Sequence, residues 1–394
     1  MKITYTTTSY PPALGGAQIH LHKLAHAIKS IGHTVNVETL WSTYRNDWLT
    51  GSTIFCRKSN KYSYQDIEVN KIGFSTLQRV KMLPWVITYY PLISVSVKKI
   101  SDIFLNVLDK ELEQPDIIHS TRIGREFITR ASLEYSKRND IPFVLTPVHH
   151  QRWNGYIYKE YDKIYREADA LIALTEAEKS ILVNDKGVDE KKIHITGIGP
   201  ILSDSYDTKN FRKKYNIEGR FVLFLGQKYK YKGIKSILES APIVWQEHPD
   251  VNFIFIGPNT KYSNKLFKNV YDDRIRNINP VDLFDKTSAL AACDLFCMPS
   301  AQESFGGVYV EAWSFRKPVI GGKIPQISCI IEENINGLLS SQDKEELSKK
   351  IIFLLNNTKK ANELGDSGWR NVQTYYSWER IANKTQDVYE SLIP

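Results

Sequence analysis

A repeated alternation constrains this chain more than any other feature: a short apolar run, a polar or glycine-bearing turn, then a stretch of helical periodicity. Residues 2–7 read as a first strand and lead through SYPPALGG into an amphipathic segment carrying Ile19, Leu24, Ile28 and Ile31. The pattern recurs at 33–39, 116–119, in PFVLTP from Pro142, at 168–182 and at 193–200. It restarts with FVLFLG at 221–226, followed by VNFIFIGP at 251–258, IRNIN at 275–279 and ACDLFCM at 292–298. Runs this short and this continuously apolar suit parallel strands buried on both faces, with helices covering the sheet. The reading is an α/β chain of two doubly wound units.

A length of 394 residues fits two or three domains, and 42% hydrophobic with 24% charged residues is the range of a globular protein. The polar segment 202–215 (LSDSYDTKNFRKKY) marks the link between halves. It sets expected domains of 1–204 and 205–377, with an amphipathic helix closing the chain over 378–394. Four cysteines, Cys56, Cys293, Cys297 and Cys329, lie mostly in apolar contexts, which favours reduced thiols over a disulfide framework. The start MKITYTTT moves straight into a strand pattern, and no run reaches the roughly 20 apolar residues of a spanning helix. The expected location is the cytoplasm.

Net charge is +8, and most of it falls in residues 57–99. There Arg57, Lys58, Lys61, Lys71, Arg79, Lys81, Lys98 and Lys99 face only Asp66 and Glu68, around the uncharged run MLPWVITYYPLISVSV at 82–97. Broken by Pro84 and Pro91, that run is too short to cross a bilayer, yet with basic flanks it suits an anionic membrane surface. A buried loop-helix insertion is the alternative. No recognised nucleic-acid module accompanies the basic residues, so nucleic acid ranks third.

The densest chemistry lies in residues 299–318, PSAQESFGGVYVEAWSFRKP. A strand feeds a turn and then a helix, placing Glu303 before the helix and Glu311 about one turn inside it. Backbone N–H groups at Gly306 and Gly307 point to the same place, which favours anions and hydroxyl oxygens. A capped helix with solvated glutamates is the plainer alternative. Elsewhere QKYKYKG after 221–226 sets Lys228, Lys230 and Lys232 at a helix start, either a pyrophosphate site or a solvated basic turn. Gly15 and Gly16 sit at the first strand-to-helix junction, where they make an ordinary turn or let a ligand approach the backbone. His149, His150, Arg152 and Trp153 emerge at the carboxyl edge of a strand, and Arg122 follows the strand before it. His22 and His26 have zinc-like spacing, but Lys23 stands where a metalloprotease motif needs Glu, so they read as surface histidines. Thr175 and Glu178 read as a capping box.

In the 299–318 stretch, PS, ESFG (Glu303, Ser304, Phe305, Gly306), EAW and KPVIGG resemble the donor-site signature of glycosyltransferase family 4. The resemblance runs from about Tyr5 to Trp378 and implies a GT-B fold, two Rossmann-like domains facing each other across a cleft, with the terminal helix crossing back onto the first. It implies a retaining transfer of a sugar from a nucleotide diphosphate sugar to a hydroxyl acceptor, such as a lipid-linked or glycan precursor. By that resemblance Glu311 takes the ribose hydroxyls, Glu303 the sugar hydroxyls and Lys232 the phosphates, with N–H groups from Phe305 to Gly307, and Gly15 and Gly16 face the donor. The chain departs from the pattern twice. Gln227 stands where the family has an Arg, which leaves Lys228 or Lys230 to supply a diphosphate contact. Thr121 stands where the family has a histidine, which leaves His149 or His150, beside Arg122, as its substitute. No Asp-x-Asp metal motif appears, so no metal or other cofactor is expected. A nucleotide-sugar epimerase or a non-catalytic sugar-nucleotide binder on the same fold is the alternative function.

Overall fold

A computed structural model describes residues 1–393 apart from 14, 43–46, 58, 150–152 and 154. The chain divides into two units, Met1–Gly197 with Trp378–Pro394, and Ile198–Ser377. The division falls ahead of the 204/205 boundary read from sequence because the intervening segment hydrogen-bonds within the second unit. Ile201 N–H reaches the Glu311 carboxylate, Ser203 N–H reaches Thr287 Oγ1 and Asp207 N–H reaches Ser288 Oγ.

The first unit holds strands β1 (Lys2–Ser9), β2 (Thr34–Trp41), β3 (Asn60–Tyr64), β4 (Ile67–Lys71), β5 (Ile117–Thr121), β6 (Phe143–Thr146), β7 (Ala170–Ala173) and β8 (Ile193–Ile195). They form one sheet in the order β3-β4-β2-β1-β5-β6-β7-β8, parallel throughout except for the antiparallel β3–β4 hairpin. Gln65 and Asp66 turn that hairpin with φ of +46° and +63°, the left-handed pair that matches the twist of two joined strands.

The second unit holds β9 (Phe221–Leu225), β10 (Asn252–Ile256), β11 (Ile275–Ile278), β12 (Leu295–Met298), β13 (Val319–Gly322) and β14 (Leu338–Ser340), in the order β11-β10-β9-β12-β13-β14. All its pairings are parallel. The strand order reverses between β9 and β12, and such a switch point opens a crevice at the carboxyl ends of the two strands. The turns carrying Lys232 and Glu303 leave those two ends. In the first unit the reversal falls between β1 and β5, whose following turns carry Gly15 and Arg122.

The basic insertion is built from the β3–β4 hairpin and the helices Thr76–Ile87 and Ile93–Glu111. Met82, Val86, Ile93, Val97 and Phe104 face inward and join the core beneath β5 and β6. Leu77, Val80, Leu83 and Ile87 lie on the other side of the first helix and are 42–73% exposed. Among the described residues no helix is long and apolar enough to cross a membrane.

The helix Trp378–Glu390 belongs to the first unit. Ile381, Ala382, Val388 and Tyr389 enter a core with Ile3, Tyr5, Leu24 and Ile28. The Tyr389 hydroxyl lies 3.0 Å from the Tyr5 hydroxyl and 2.6 Å from His119 Nδ1. His22 departs from its reading as a surface histidine: it is buried, takes the Tyr10 hydroxyl at 2.8 Å on Nδ1 and lies 2.8 Å from Gln65 through Nε2. His26 is exposed. Cys56, Cys293 and Cys297 are buried and Cys329 is exposed.

Candidate functional site

In the second unit the chain leaves β12 at Pro299 and crosses tightly over the 229–233 turn. Ala301 N–H donates to the Tyr231 carbonyl at 2.7 Å, and Gln342 Nε2 donates to the carbonyls of both Tyr231 and Pro299 at 2.8 Å. Gly233 has φ +79°, and a Cβ there would stand 2.7 Å from the Pro299 carbonyl oxygen, so the crossing requires glycine. The stapled turns bring Lys232 Nζ against Glu303 Oε1 in an ion pair whose side chains are only 15% and 11% exposed. Ser304 is half-buried, and Phe305 is buried against the Tyr376 ring at 5.5 Å. Gly306, at φ +85°, caps the helix Gly307–Trp313.

Glu311 projects from that helix into the protein and is 3% exposed. Its Oε1 accepts from Lys286 Nζ at 2.6 Å and from Ile201 N–H at 3.3 Å. Lys286 also donates to the Ile201 carbonyl at 2.9 Å. The second carboxylate oxygen, Oε2, is buried and has no hydrogen-bond partner among the described residues. Burial pushes the carboxyl above its usual range while Lys286 opposes the rise. A buried carboxylate with one oxygen satisfied and one bare is a costly arrangement that a donor such as a hydroxyl would relieve.

The lysine turn does not deliver its residues as read from sequence. Lys228, expected at the donor phosphates, is fully buried, and its ammonium donates to the Gly257 carbonyl at 2.7 Å and the Ile278 carbonyl at 2.8 Å. It straps together the ends of β10 and β11, and burial lowers it to about 8. Gln227 and Lys230 are exposed. Lys232 is the lysine of this turn that meets a site glutamate.

In the first unit Gly15 caps the helix Gly16–Ser30 with an extended φ of −177°. A Cβ at Gly16 would meet nothing within 4 Å, so no backbone strain demands glycine there, and the space above the turn is open. Arg122, past the end of β5, is buried with its guanidinium 4.3 Å from the Trp153 ring centre and 4.1 Å from that of Tyr161. Its Nη1 donates to the Tyr165 hydroxyl and lies 3.2 Å from His149 Nδ1. Glu178 fixes the histidine's backbone: its carboxylate accepts from His149 N–H and, at 2.7 Å, from Leu174 N–H. The expected capping box is therefore half present. Thr175 Oγ1 accepts from Glu178 N–H at 3.0 Å, but the Glu178 carboxylate turns to the strand-end loops, where burial raises it to about 7. His150 and Arg152 lie outside the described residues.

Two family models match in tandem: Glycosyltransferase Family 4 over residues 14–199 and Glycosyl transferases group 1 over residues 207–370. The chain belongs to glycosyltransferase family 4. Among curated relatives, a mannosyltransferase of Mycolicibacterium hassiacum, "MMP alpha-(1->4)-mannosyltransferase", is 22% identical over 62% of this chain and 59% of its own length. Spore coat protein SA of Bacillus subtilis is 28% identical over 46% of this chain and 52% of its own. In these two alignments the chain spans little more than half the relative's length. Among solved structures, HepE of Anabaena, crystallised with UDP-glucose, superposes with a TM-score of 0.71 at 18% identity, covering 100% of this chain and 99% of HepE. A glycosyltransferase from Rickettsia africae gives a TM-score of 0.74 at 17% identity over 99% and 98%. The fold is GT-B.

Within this family 4 chain, sequence reading missed Lys286. It lies in the helix Leu283–Ala292, capped by Asp282, and reaches Glu311 only through the packing of that helix on Gly307–Trp313. Nothing in its local pattern distinguishes it from a surface lysine. Among the described residues no group of three or more His, Cys, Asp or Glu is placed to hold a metal ion.

Proposed function

We propose that this protein is a retaining glycosyltransferase that moves a sugar from a nucleoside diphosphate sugar to a hydroxyl of an acceptor presented at an anionic membrane surface. The observation that carries the reading is the bare, buried Oε2 of Glu311, on the helix that follows the Lys232–Glu303 pair in the chain. The ribose hydroxyls donate to Glu311, whose other oxygen Lys286 holds in place. An incoming donor then exchanges partners with the second pair: its diphosphate takes the Lys232 ammonium while its sugar hydroxyls take the Glu303 carboxylate. Both side chains are largely desolvated, so neither charge can be left without a partner, and the exchange favours a ligand that offers both groups at once. Charge on the departing diphosphate is met by Lys232 and backbone N–H groups, which stabilise the transition state without a cation. Retention follows the family 4 signature that Glu303 and Glu311 carry. In the first unit, Arg122 and His149 serve the acceptor.

The membrane part rests on the helix Thr76–Ile87. Leu77, Val80, Leu83 and Ile87 form one exposed apolar stripe. Lys81 borders it, and Lys98 and Lys99 are exposed on the next helix. Each basic side chain near anionic lipid contributes about 1 kcal/mol, and the stripe adds apolar burial.

The test is a panel of nucleotide sugars beginning with UDP-glucose, the ligand of HepE, read for transfer and for the anomer formed, with and without chelator. Transfer with retention in chelator is expected; hydrolysis alone, inversion, or activity restored only by magnesium or manganese would overturn the corresponding part. Sedimentation with vesicles should show salt-sensitive binding to anionic lipid, and equal sedimentation with neutral vesicles would remove the membrane from the proposal.

A further inference from the structure

In the first unit the helices Thr76–Ile87 and Ile93–Glu111 are joined by a tip, residues 88–92, that faces two ways. Ile87, Tyr90, Leu92 and Val95 turn outward and are 47–73% exposed, while Tyr89 is fully buried with its ring against Phe127. Packed on the tip is the loop that leads from β5 through Arg122 to the helix Phe127–Arg138. Arg125, in that loop, sets its guanidinium 5.2 Å from the Tyr89 ring centre and 5.7 Å from that of Tyr90, and its Nη2 donates to the Tyr90 hydroxyl at 2.9 Å. Two aromatic contacts and one hydrogen bond hold the planar fork in place before a ligand arrives.

The carboxylates near Arg125 are engaged elsewhere. Glu126, next in the chain, is buried and turns inward, where its two oxygens lie 3.0 and 2.9 Å from the Tyr89 hydroxyl that donates to them. Asp47, whose charge Arg125 also feels, accepts from the N–H groups of Leu49 and Thr50 and from the Thr50 hydroxyl. Among the described residues Arg125 enters no ion pair, and the bond to Tyr90 uses one of its five N–H groups. The helix Phe127–Arg138 begins without a side-chain cap and without an acidic residue in its first turn, so its positive end adds to the same potential. A half-buried guanidinium with free donors, placed where an exposed apolar tip ends, is the complement of an oxyanion fixed to a hydrocarbon chain. Tyr158 neighbours both arginines of the loop: its ring centre is 5.6 Å from the Arg122 guanidinium, and its hydroxyl acts on Arg125.

We propose that Arg125 binds the phosphate of a lipid-borne acceptor, a phosphate or diphosphate ester whose hydrocarbon chain lies on the apolar tip and whose sugar or hydroxyl end runs towards Arg122 and His149. The inference rests on the membrane-acceptor reading given above and names the headgroup that it leaves open. A carboxylate would also satisfy the guanidinium, but it ends the molecule there. A phosphate has a further ester bond with which to continue from the chain on the tip to the neighbouring Arg122.

The test is calorimetry of the full chain with n-octyl phosphate, with n-octanol as the chain without the charge and inorganic phosphate as the charge without the chain. Octyl phosphate should bind saturably and about tenfold or more tightly than either part alone. Arg125→Ala should weaken it by about tenfold to a hundredfold, the loss of a charge-assisted contact. Arg125→Gln, which keeps a donor without the charge, should do the same and carries the test if the alanine variant fails to fold. Sedimentation with phosphatidylcholine vesicles containing phosphatidylglycerol should be unchanged in both variants, because bulk lipid is met by Lys81, Lys98 and Lys99. No saturable binding of octyl phosphate, octanol binding as tightly, or wild-type affinity in both variants would overturn the proposal. So would a loss of vesicle binding as large as the loss of octyl phosphate, which would assign Arg125 to the phosphate of the surrounding bilayer. A wild-type chain that ignores the vesicles but binds octyl phosphate through Arg125 would remove the membrane surface from the proposed function and uphold the phosphate site.

Discussion

At the residue scale the two glutamates of the 299–318 stretch differ in their partners, and so in what their loss should do. Glu311 is bound on one oxygen and bare on the other, so Glu311→Ala should abolish measurable binding of the free nucleoside diphosphate. Glu303 is neutralised by Lys232 rather than by anything of the nucleotide-facing kind, so Glu303→Ala should leave nucleotide affinity near wild type and remove transfer. Calorimetry with UDP beside a transfer assay reads the two effects separately; wild-type affinity in the Glu311 variant would remove its role. Glu38 offers a different residue-scale measurement. Burial first, and the charge of Glu111 second, raise its carboxyl from 4.5 to about 8, against the lowering effects of Asn70 and Lys61. Between those values the folded chain holds a proton that the unfolded chain releases, so this contribution to stability is present at low pH and is lost as pH rises towards 8. A glutamine does not titrate. Glu38→Gln should therefore gain stability relative to wild type as pH rises from 5 to 8, by on the order of 2–4 kcal/mol, and a Tm difference that stays flat with pH would contradict the burial argument.

At the element scale, what local pattern carries was legible and what packing decides was not. The runs FVLFLG and VNFIFIGP became β9 and β10 because a strand covered on both faces needs only apolar residues, and that is visible locally. The helix Lys344–Asn356 is set locally too, since the Asp343 side chain caps it by accepting from Glu346 N–H. By contrast, β3 is the polar, largely exposed NKYSY, at the sheet edge beside β4, and nothing apolar announces it. The helix Thr76–Ile87 was hidden because Pro84 lies inside it and apolar residues occupy both its faces. The turn after β9 shows the limit most clearly: three lysines alternate in QKYKYKG, but only the fold decides that Lys228 turns inward to two carbonyls and Lys232 turns to Glu303. The expectation follows directly. Lys228→Ala removes the ammonium from the buried Gly257 carbonyl, at about 1–3 kcal/mol, and leaves the half-buried Ile278 carbonyl with the Gly257 N–H, and should lower Tm. Lys232→Ala should lower kcat/KM tenfold to over a hundredfold, the equivalent of about 1.5–3 kcal/mol of a charge-assisted contact, with a smaller change in Tm. Lys230 is exposed and remains the candidate to replace the guanidinium absent at Gln227. If Lys230→Ala leaves kcat/KM unchanged, the diphosphate is held on this turn by Lys232 without a second cation.

At the scale of the whole molecule, chain order and structural membership disagree at the C-terminus. The helix Trp378–Glu390 follows directly on the second unit in sequence, yet its apolar face is part of the first unit's core. Tyr389 is the clearest instance: its hydroxyl meets both Tyr5 on β1 and His119 on β5, and burial lowers His119 to about 3, so the imidazole is neutral and can share hydrogen bonds with Tyr389 and Thr146. Burying Ile381, Val388 and Tyr389 contributes about 1.5–3 kcal/mol each, a sum comparable with the whole stability of a typical domain, about 5–15 kcal/mol. Deleting 378–394 should therefore unfold the first unit, whose earliest strand β1 lies more than 360 residues before the cut, while sparing the second. Calorimetric melting of the truncated chain should lose the transition of the first unit, and limited proteolysis should degrade residues 1–197 while leaving 198–377 as a stable fragment. The two units need not lose function together: the fragment that survives still holds Glu303, Glu311, Lys232 and Lys286, and on the reading proposed above it should bind nucleoside diphosphate without transferring sugar. Loss of nucleotide binding on truncation would mean that the donor pocket depends on the first unit for its integrity; an unchanged first transition would mean that the helix is an ornament to a core already complete without it.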